Sequence, residues 1–402
     1  MNGRSDLLAA NQRVAAGRPL LQAPPLSLYI HIPWCVRKCP YCDFNSHPAH
    51  GAIPEQEYVA ALLRDLETAL PRVWGRKVVS LFIGGGTPSL FSPRALDDIL
   101  CGARALLPIE AGAEITLEAN PGTVEAGKFA EFRAAGINRL SLGIQSFNPE
   151  HLKALGRIHD DCEAHAAAAL ALDLFGNVNL DLMYGLPGQS REQALTDMRT
   201  AIGYGVTHLS AYHLTLEPNT LFYAQPPQLP DDDQCAAMQE EIEGALASSG
   251  FAHYETSAFA RDNQRCRHNL NYWHYGDYLG IGAGAHGKLT LHDRILRQAR
   301  PRAPQAYLEA VAAGCAWEEH EVAPEDRGFE FMMNALRLTD GFDPALFEER
   351  TGLALDAIAL PLREAGKRGL LERSASLIRP TPLGQRFLNE LLQGFLPPED
   401  AG

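Results

Sequence analysis

Three cysteines lie within eight residues in the stretch Cys35-Val-Arg-Lys-Cys39-Pro-Tyr-Cys42. Thiolates held together in one loop are ligands for a soft metal centre. A [4Fe–4S] cluster takes four cysteine ligands as a rule, one for each iron. Three cysteines therefore leave one iron open to a small molecule, as the open position of a catalytic zinc site does. The same cysteines also permit a zinc site in which His31 or His47 is the fourth ligand.

The elements that have to position these thiolates repeat along the chain. An apolar run directly before the cysteines predicts a buried strand. Strand patterns then recur at residues 26–32, 77–83, 114–119, 139–147, 177–184 and 208–216. Helical patterns lie between and after them at residues 55–70, 93–106, 125–135 and 231–250. This alternation predicts an α/β fold, with a parallel sheet that right-handed crossovers curl into a partial (β/α)6 barrel.

Glycines or polar residues recur where the predicted strands end. Residues 84–87 (Gly-Gly-Gly-Thr) close the second strand, and glycines allow a sharp turn and a close approach to a ligand. Glu118 ends the third strand, Gln145 ends the fourth, and Asp181 lies within the fifth. Because ligands of parallel α/β folds bind at the carboxyl ends of the strands, we expect these residues to share one site. Taken singly, each is also consistent with a buried polar group that has its hydrogen bonds satisfied.

The pattern changes after residue 225. The stretch His268-Asn-Leu-Asn-Tyr-Trp273 lies in this part, and from residue 324 the order helix, hairpin, helix predicts a winged-helix-like module. A short helix at 7–16 is expected near the start of the chain. We divide the chain into an N-terminal extension (residues 1–25), a core barrel (26–225), a barrel-completing segment (226–323) and a C-terminal winged-helix-like domain (324–402).

Composition limits the classes of function. The formal net charge is −14, which argues against a protein that binds a nucleic-acid backbone, although winged modules often bind DNA. A packing or lid role for that module suits the acidic balance better. The sequence has no apolar run long enough to cross a membrane and no signal-peptide pattern. Free thiols and a cluster site suit a reducing compartment, so a cytoplasmic location is expected.

The cysteine spacing C-x3-C-x2-C after a first strand resembles the radical S-adenosylmethionine (radical SAM) superfamily. That resemblance implies that Cys35, Cys39 and Cys42 hold a [4Fe–4S] cluster whose open iron binds the methionine moiety of SAM. An electron from the cluster then cleaves the sulfonium. Further matches narrow the resemblance to the oxygen-independent coproporphyrinogen III oxidase-like group, and they lie at residues 29–45, 84–89, 118–122 and 143–147. The likeness extends from about residue 26 to about residue 395.

The resemblance also implies which residues bind cofactor. The positions that correspond to the SAM-binding set are Tyr29, Gly85, Gly86, Thr87 and Glu118. The positions that in the oxidases line the same cavity and touch a second SAM are Tyr41, Gln145, Arg157 and Asp181.

The sequence departs from the oxidases at one position. The cysteine pattern that the resemblance implies for the oxidases is C-x3-C-x2-C-x-C. In this sequence Phe44 occupies the position of the fourth cysteine. Together with the motif HNxxYW, which begins at His268, this departure resembles the heme chaperone (HemW) branch of the group, in which the motif is associated with heme binding. A neutral histidine nitrogen ligates heme iron, and Tyr272 and Trp273 offer flat apolar surface to a macrocycle. From the residues alone, a capped, well-packed core segment explains these side chains better than a heme site does, because aromatic residues are normally part of the core.

Two functions of different class follow, and a third remains open. The first is a heme chaperone that carries a [4Fe–4S] cluster, SAM and heme and hands heme to apo-proteins. The second is an oxygen-independent coproporphyrinogen III oxidase that decarboxylates propionates to give protoporphyrinogen IX. The third, a zinc-dependent regulator, uses the cysteines but leaves the glycines and acids at the strand ends unexplained. The expected partners are heme, SAM, heme-accepting apo-proteins and an electron donor.

Overall fold

The computed structural model describes residues 23–261 and 264–397. The helix expected at 7–16 lies outside these residues. The strands in the described part of the chain are β1 (Leu26–Ile32), β2 (Trp34–Cys35), β3 (His47–Pro48), β4 (Val78–Gly85), β5 (Ile109–Ala119), β6 (Arg139–Gln145), β7 (Val178–Tyr184), β8 (His208–His213), β9 (Ala252–Glu255), β10 (Ala258–Ala260), β11 (Asp277–Ile281), β12 (His286–Thr290), β13 (Ile295–Ala299), β14 (Glu318–Glu321), β15 (Leu371–Arg373) and β16 (Ile378–Pro380).

The helices surround the main sheet or follow it. They are α1 (Glu55–Val73), α2 (Pro93–Leu106), α3 (Thr123–Ala126), α4 (Phe129–Ala134), α5 (Pro149–Ala154), α6 (Asp161–Leu174), α7 (Arg191–Gly203), α8 (Leu221–Ala224), α9 (Asp232–Ser248), α10 (Arg267–Trp273), α11 (Pro304–Ala312), α12 (Pro324–Ala335), α13 (Pro344–Thr351), α14 (Ala359–Lys367), α15 (Pro382–Arg386) and α16 (Leu388–Gln393). No helix in residues 23–261 or 264–397 is long and apolar enough to span a membrane.

The main sheet has the strand order β14-β13-β12-β11-β1-β4-β5-β6-β7-β8-β10-β9. Strands β1 and β4 to β8 are the six predicted strands, and each neighbouring pair is parallel. The sequence did not predict a seventh parallel strand, β11, which pairs with the other edge of β1. Antiparallel strands extend both edges of the sheet. Side chains from all six predicted strands line one internal chamber, so the sheet curls into a partial barrel.

The buried strands read as near-continuous apolar runs because helices cover their outer face. In β1, for example, six of seven residues are buried. Helix α2 starts as predicted, since Ser92 accepts a hydrogen bond from the Ala95 amide and Pro93 occupies the first turn.

Two helix predictions were wrong in detail. The predicted helix at 125–135 is broken into α3 and α4 around Gly127, a residue with poor helix propensity. At the break, the Lys128 ammonium donates to the carbonyls of residues 89 to 91. The last predicted helix is likewise divided at Phe387 into α15 and α16.

The C-terminal part has its own hydrophobic core around Phe331, Phe347 and Ile378. Its last elements run as helix α14, the β15–β16 hairpin, then helices α15 and α16. That order is the winged-helix-like arrangement predicted from the sequence.

Candidate cofactor site at the carboxyl ends of the strands

A cavity of about 650 Å³ lies at the carboxyl ends of the parallel strands. We call it the outer cavity. Most of the residues predicted to bind cofactor line it, from β4 to β7 and from the loops that follow β1 and α5. They are Cys35, Cys39, Tyr41, Cys42, Gly85, Gly86, Thr87, Glu118, Gln145, Arg157 and Asp181. The remaining two predicted residues, Tyr29 and His268, line a different space beneath it.

The cysteine loop is fixed to the barrel at each thiol. The Thr87 hydroxyl lies 3.4 Å from Cys35 Sγ, the Arg157 guanidinium 3.7 Å from Cys39 Sγ, and the Ser46 hydroxyl 3.8 Å from Cys42 Sγ. Burial raises the pKa of the Cys35 and Cys42 thiols, so a bound metal centre has to displace their protons.

The spacing of the sulfur atoms bears on the kind of metal centre. Within the described ranges, only one set of three or more His, Cys, Asp or Glu side chains has its ligand atoms all within 4.8 Å of one another. That set is Asp160, Asp161 and Cys162, and it does not include the three clustered cysteines. The three clustered cysteines are therefore spread more widely than one tetrahedral zinc ion requires, because Zn–S bonds of about 2.3 Å place sulfurs about 3.8 Å apart. A multi-iron cluster, which binds each thiolate through a different iron, suits this spread.

The two histidines of the zinc alternative have other partners. His31 pairs through Nε2 with the Asn45 carbonyl at 2.8 Å and through Nδ1 with the Tyr29 hydroxyl at 3.0 Å. His47 pairs through Nε2 with the Arg302 carbonyl at 3.2 Å. His31 therefore uses both ring nitrogens in hydrogen bonds and is not available as a fourth zinc ligand in this arrangement, whereas His47 uses one.

The glycines at the end of β4 form a close-fitting wall. Gly85 has φ +117°, and a Cβ there would lie 2.6 Å from the His31 ring. A Cβ on Gly86 would lie 2.5 Å from the Trp34 carbonyl oxygen. Any larger residue would strain the backbone or push the cysteine loop outward, so the glycines bring main chain up to the ligand space.

A polar chain joins three strand ends across the cavity. The Asn120 amide donates to the Thr87 hydroxyl at 3.0 Å, and Arg157 donates to the Asn120 side-chain oxygen at 2.6 Å. Arg157 also donates to the Gly143 carbonyl at 2.7 Å. Because Thr87 and Arg157 contact cysteine sulfurs, this chain couples the position of the cysteine loop to the strand ends.

Two carboxyl groups form the floor of the outer cavity. Burial, with a further contribution from Asp181, raises the pKa of Glu118 to about 7 although the Gly85 amide donates to it at 3.1 Å. Burial likewise raises the pKa of Asp181, which accepts hydrogen bonds from the Ser141 hydroxyl and the Asn179 amide. A carboxyl group with a pKa near 7 and few partners is poised to accept hydrogen bonds from a ligand.

Gln145 has an unusual backbone. Its φ is +67°, in the left-handed region, and the register between β6 and β7 shifts between Gly143 and Gln145. A bulge of this kind re-aims a side chain at the end of a strand. Backbone strain in a non-glycine residue of a cavity wall is typical of functional sites.

A smaller space of about 250 Å³ lies deeper in the barrel, below Glu118 and Asp181. We call it the inner chamber. Helix α10 closes it and contributes His268, Asn269 and Tyr272 to its wall. The ring of His268 packs between aromatic neighbours, at 5.0 Å from Phe82 and 5.0 Å from Tyr272 between centroids. It is 2% exposed, and burial lowers its pKa to about 3, so the ring is neutral at pH 7.

Hydrogen bonds assign the tautomer of His268. The Asn271 amide donates to Ser27 Oγ at 2.8 Å, Ser27 and Ser80 lie 2.7 Å apart, and Ser80 Oγ lies 3.1 Å from His268 Nδ1. Every hydroxyl proton has an acceptor only if Ser27 donates to Ser80 and Ser80 donates to Nδ1. The ring proton is then on Nε2, which has no hydrogen-bond partner among the described residues. Heme binding at His268, which the family resemblance implies, thus requires α10 to open, because the ring is 2% exposed inside the barrel.

The last residue of the motif faces the C-terminal domain. The Arg337 guanidinium lies 4.3 Å from the ring centroid of Trp273 and pairs with Glu255 at 3.5 Å. Helix α10 therefore contacts the barrel interior on one side and the C-terminal domain on the other.

Three residues of these spaces were missed from the sequence. Asn120 joins the ends of β4 and β6, and its place directly after a strand was the available signal. Arg139 and Ser141 line the inner chamber from β6. The arginine at the start of an otherwise apolar strand was a signal for a polar interior.

Comparisons with known proteins agree with this geometry. The radical SAM superfamily profile matches residues 29–201, and the HemN C-terminal domain profile matches residues 322–387. The chain is 50% identical over 379 residues to the heme chaperone HemW of Escherichia coli strain K12, with 94% of this chain and all of that protein covered. It is 34% identical to the heme chaperone HemW of Bacillus subtilis strain 168, with 92% and 99% covered.

A solved structure shares most of the fold. Coproporphyrinogen III oxidase (HemN) from Escherichia coli, described as a radical SAM enzyme, superposes with a TM-score of 0.79 at 25% identity. The match covers 96% of this chain and 92% of that chain. Both the barrel and the C-terminal domain therefore belong to the shared architecture.

Proposed function

The chain belongs to the heme chaperone HemW family of the radical SAM superfamily, and on that premise we propose that it binds heme and transfers it to apo-proteins. Membership of the superfamily implies a [4Fe–4S] cluster and SAM. The observation that carries the proposal is identity of 50% to a heme chaperone over that protein's entire length. A cytoplasmic location is part of the same proposal.

We assign the cluster to Cys35, Cys39 and Cys42. The residues fit the group, because their sulfurs are too dispersed for one zinc ion and converge on a cavity large enough for a ligand beside the metal centre. When bound and reduced, such a cluster supplies an electron to SAM. Thr87 and Arg157 hold the thiols in position.

We assign SAM to the wall formed by Gly85, Gly86, Thr87 and Glu118. The glycines expose main chain at the distance at which any side chain would clash, which suits an amino-acid moiety. Glu118, with its raised pKa, offers oxygens to ribose hydroxyls. Tyr29 stands behind this wall and positions His31 through the hydrogen bond between their side chains.

We assign Tyr41, Gln145, Arg157 and Asp181 to the remainder of the ligand space. All four line the outer cavity together with the glycines. The assignment of heme to His268 stays a prediction from the family resemblance, and it needs the opening of α10 described above.

The proposal is tested with anaerobically reconstituted protein in two parallel assays. Heme is titrated and followed by its Soret band, and the protein is incubated with reductant, SAM and coproporphyrinogen III. We expect stoichiometric heme binding, transfer to a heme-free acceptor protein and no vinyl-bearing product. Catalytic formation of protoporphyrinogen IX without heme binding would identify an oxidase instead, which is the alternative that the shared fold keeps open.

A further inference from the structure

Exposed apolar side chains are concentrated at the outer cavity. Twelve large hydrophobic side chains are exposed in the described part of the chain. Three of them, Val36, Phe44 and Ile158, are 55 to 61% exposed and line the outer cavity on the solvent side. We call these three side chains the apolar rim. Grouped exposed hydrophobic residues mark binding surfaces, whereas single ones need no explanation.

The apolar surface continues beside the cysteine loop. Leu221 and Tyr223, both 56% exposed, lie on helix α8. This helix is attached to the cysteine loop, because the Phe222 amide donates to the Pro40 carbonyl at 2.9 Å. Helix α8 is therefore fixed to the same loop that carries the cluster cysteines and two of the rim residues.

The backbone of the rim is held in place before any ligand binds. Arg37, on the cysteine loop, donates to the carbonyls of Gly156 and Arg157, which fixes the loop to the segment that carries Ile158. Lys38 donates to the Phe44 carbonyl at 3.1 Å. Side chains that stay exposed on a fixed backbone form a preformed surface, which lowers the entropic cost of binding.

We propose that the apolar rim is the docking surface for heme. In this arrangement one face of the macrocycle packs on Val36, Phe44 and Ile158, at the mouth of the outer cavity. The inference rests on the proposed function, since it names the place at which the bound heme lies.

The chemistry of the rim matches the chemistry of heme. Heme combines flat apolar faces with two propionate groups on one edge. The exposed cations Arg37 and Lys38 follow the rim residue Val36 directly in the cysteine loop, whereas the exposed acidic Asp43 adjoins Phe44 at the other end of the loop. The propionates therefore lie toward Arg37 and Lys38, and the opposite edge lies over the cavity.

The inner chamber is a poorer site for the macrocycle. Its volume of about 250 Å³ is less than half that of the outer cavity, and its wall carries the ionisable groups of Glu118, Arg139 and Asp181, whereas heme has flat apolar faces. Within it, the His268 ring is 2% exposed and packs between Phe82 and Tyr272, which leaves no flat open face beside it for a macrocycle. The outer cavity, at about 650 Å³, opens directly onto the rim.

Phe44 gives a second reason to place heme at the rim. Its side chain is 59% exposed, so it contributes little to the hydrophobic core. The position is the one at which the oxidases carry a fourth cysteine. An exposed aromatic ring in the wall of the cavity that the three cysteines line offers a stacking surface for a flat apolar ligand.

The test compares rim variants with a matched surface variant. Full-length, anaerobically reconstituted protein is titrated with heme as wild type, Ile158→Glu, Phe44→Glu, His268→Ala and Trp74→Glu. Trp74 is 80% exposed on a different part of the surface, after α1, so Trp74→Glu introduces the same charge away from the rim. Iron content and SAM affinity are measured for each variant to verify that cluster and cavity are intact.

We expect Ile158→Glu and Phe44→Glu each to weaken heme binding about tenfold or more, since each removes apolar contact and places a carboxylate beside the propionates. SAM affinity and iron content should stay at wild-type values, and Trp74→Glu should bind heme as wild type does. A second probe is heme dimethyl ester, which lacks the charged propionates. It should bind wild type more weakly than heme does, and this difference in affinity should disappear in Lys38→Gln.

Two other results separate the inference from the function it rests on. If wild type binds heme and both rim variants bind it equally well, the rim is not the docking surface. Loss of binding in His268→Ala alone would then assign heme to α10. If wild type itself does not bind heme, both the proposed function and the inference are overturned.

Discussion

The cysteine loop and helix α10 are the two segments in which this sequence concentrates chemistry, and they differ in how their polar groups are satisfied. The loop lies beside an open cavity, and each of its thiols has one long contact to a neighbour. Helix α10 is embedded in the barrel, where hydrogen bonds connect Asn271, Ser27, Ser80 and Nδ1 of His268 in one chain. An open site keeps groups for a ligand, whereas a closed one uses them to hold the fold together.

The two regions also show that burial produces opposite electrostatic results. At the outer cavity, burial raises the pKa of Glu118 to about 7, so the charge of this carboxyl group changes near neutral pH. In the inner chamber, burial lowers the pKa of His268 to about 3, so its charge is fixed at zero. Burial disfavours the charged form in each case, and the acid or base character of the group decides the direction.

The sharpest contrast should come from removing one thiol. Cys39→Ala should abolish assembly of a stable [4Fe–4S] cluster, because two cysteines leave two irons without protein ligands. Iron and sulfide analysis of anaerobically reconstituted protein measures the loss. Cys101→Ala, at an exposed free cysteine on α2, is the control and should retain the wild-type iron content. A variant lacking Cys39 that still held four irons would contradict the assignment.

Removing the buried histidine should affect stability more than cofactor content. His268→Ala leaves a cavity and an unpaired Ser80, and should lower the free energy of unfolding by about 2–4 kcal/mol. Urea unfolding of the apo-protein measures this change. His292→Ala, at a histidine whose side chain is 88% exposed, should change it little. Unchanged stability in His268→Ala would show that α10 is not a packed part of the barrel.

Glu118 should make SAM binding depend on pH. Glu118→Gln should weaken SAM binding by about 1.5–3 kcal/mol, the value of a hydrogen bond to a charged group. Because the unliganded pKa is about 7 and the ionised form accepts hydrogen bonds better, wild-type affinity should rise with pH through about 7 and then level off. Isothermal titration across this range measures both effects. A wild-type affinity as flat with pH as that of Glu118→Gln would rule out ribose contact by the carboxylate.

The smallest effect should come from the contact between α10 and the C-terminal domain. Arg337→Ala removes the guanidinium above Trp273 and the ion pair with Glu255, and should cost about 1 kcal/mol of stability. A double-mutant cycle with Trp273→Leu isolates the ring contact from the ion pair. Additive effects in the cycle would mean that the stacked geometry contributes nothing.

Much of the fold could be predicted because its signals are local. The apolar run of β1, the proline and serine at the start of α2 and the six-fold alternation of strands and helices lie within short stretches. The seventh parallel strand, β11, could not be predicted in this way. Its partner β1 lies about 250 residues earlier in the sequence, and strand pairing over that distance leaves no local pattern.

The same difference between local and long-range signals decided which residues of the candidate site could be predicted. The glycines of β4 and Glu118 were evident, because strand ends of a parallel sheet meet at one edge. Asn120 was missed, since its importance depends on contacts to Thr87, which follows β4, and to Arg157, which follows α5.

By itself, the sequence determined the three thiolates, the strand ends around them and the substitution of Phe44 for a fourth cysteine. These are properties of residue type and spacing along the chain. Only the tertiary structure decided that HNxxYW closes the barrel, that His268 carries its proton on Nε2 and that Val36, Phe44 and Ile158 share one rim. These features depend on burial and on hydrogen bonds between segments that are distant in sequence. Such contacts form only when the sheet has curled into the barrel, so residue type and spacing do not reveal them.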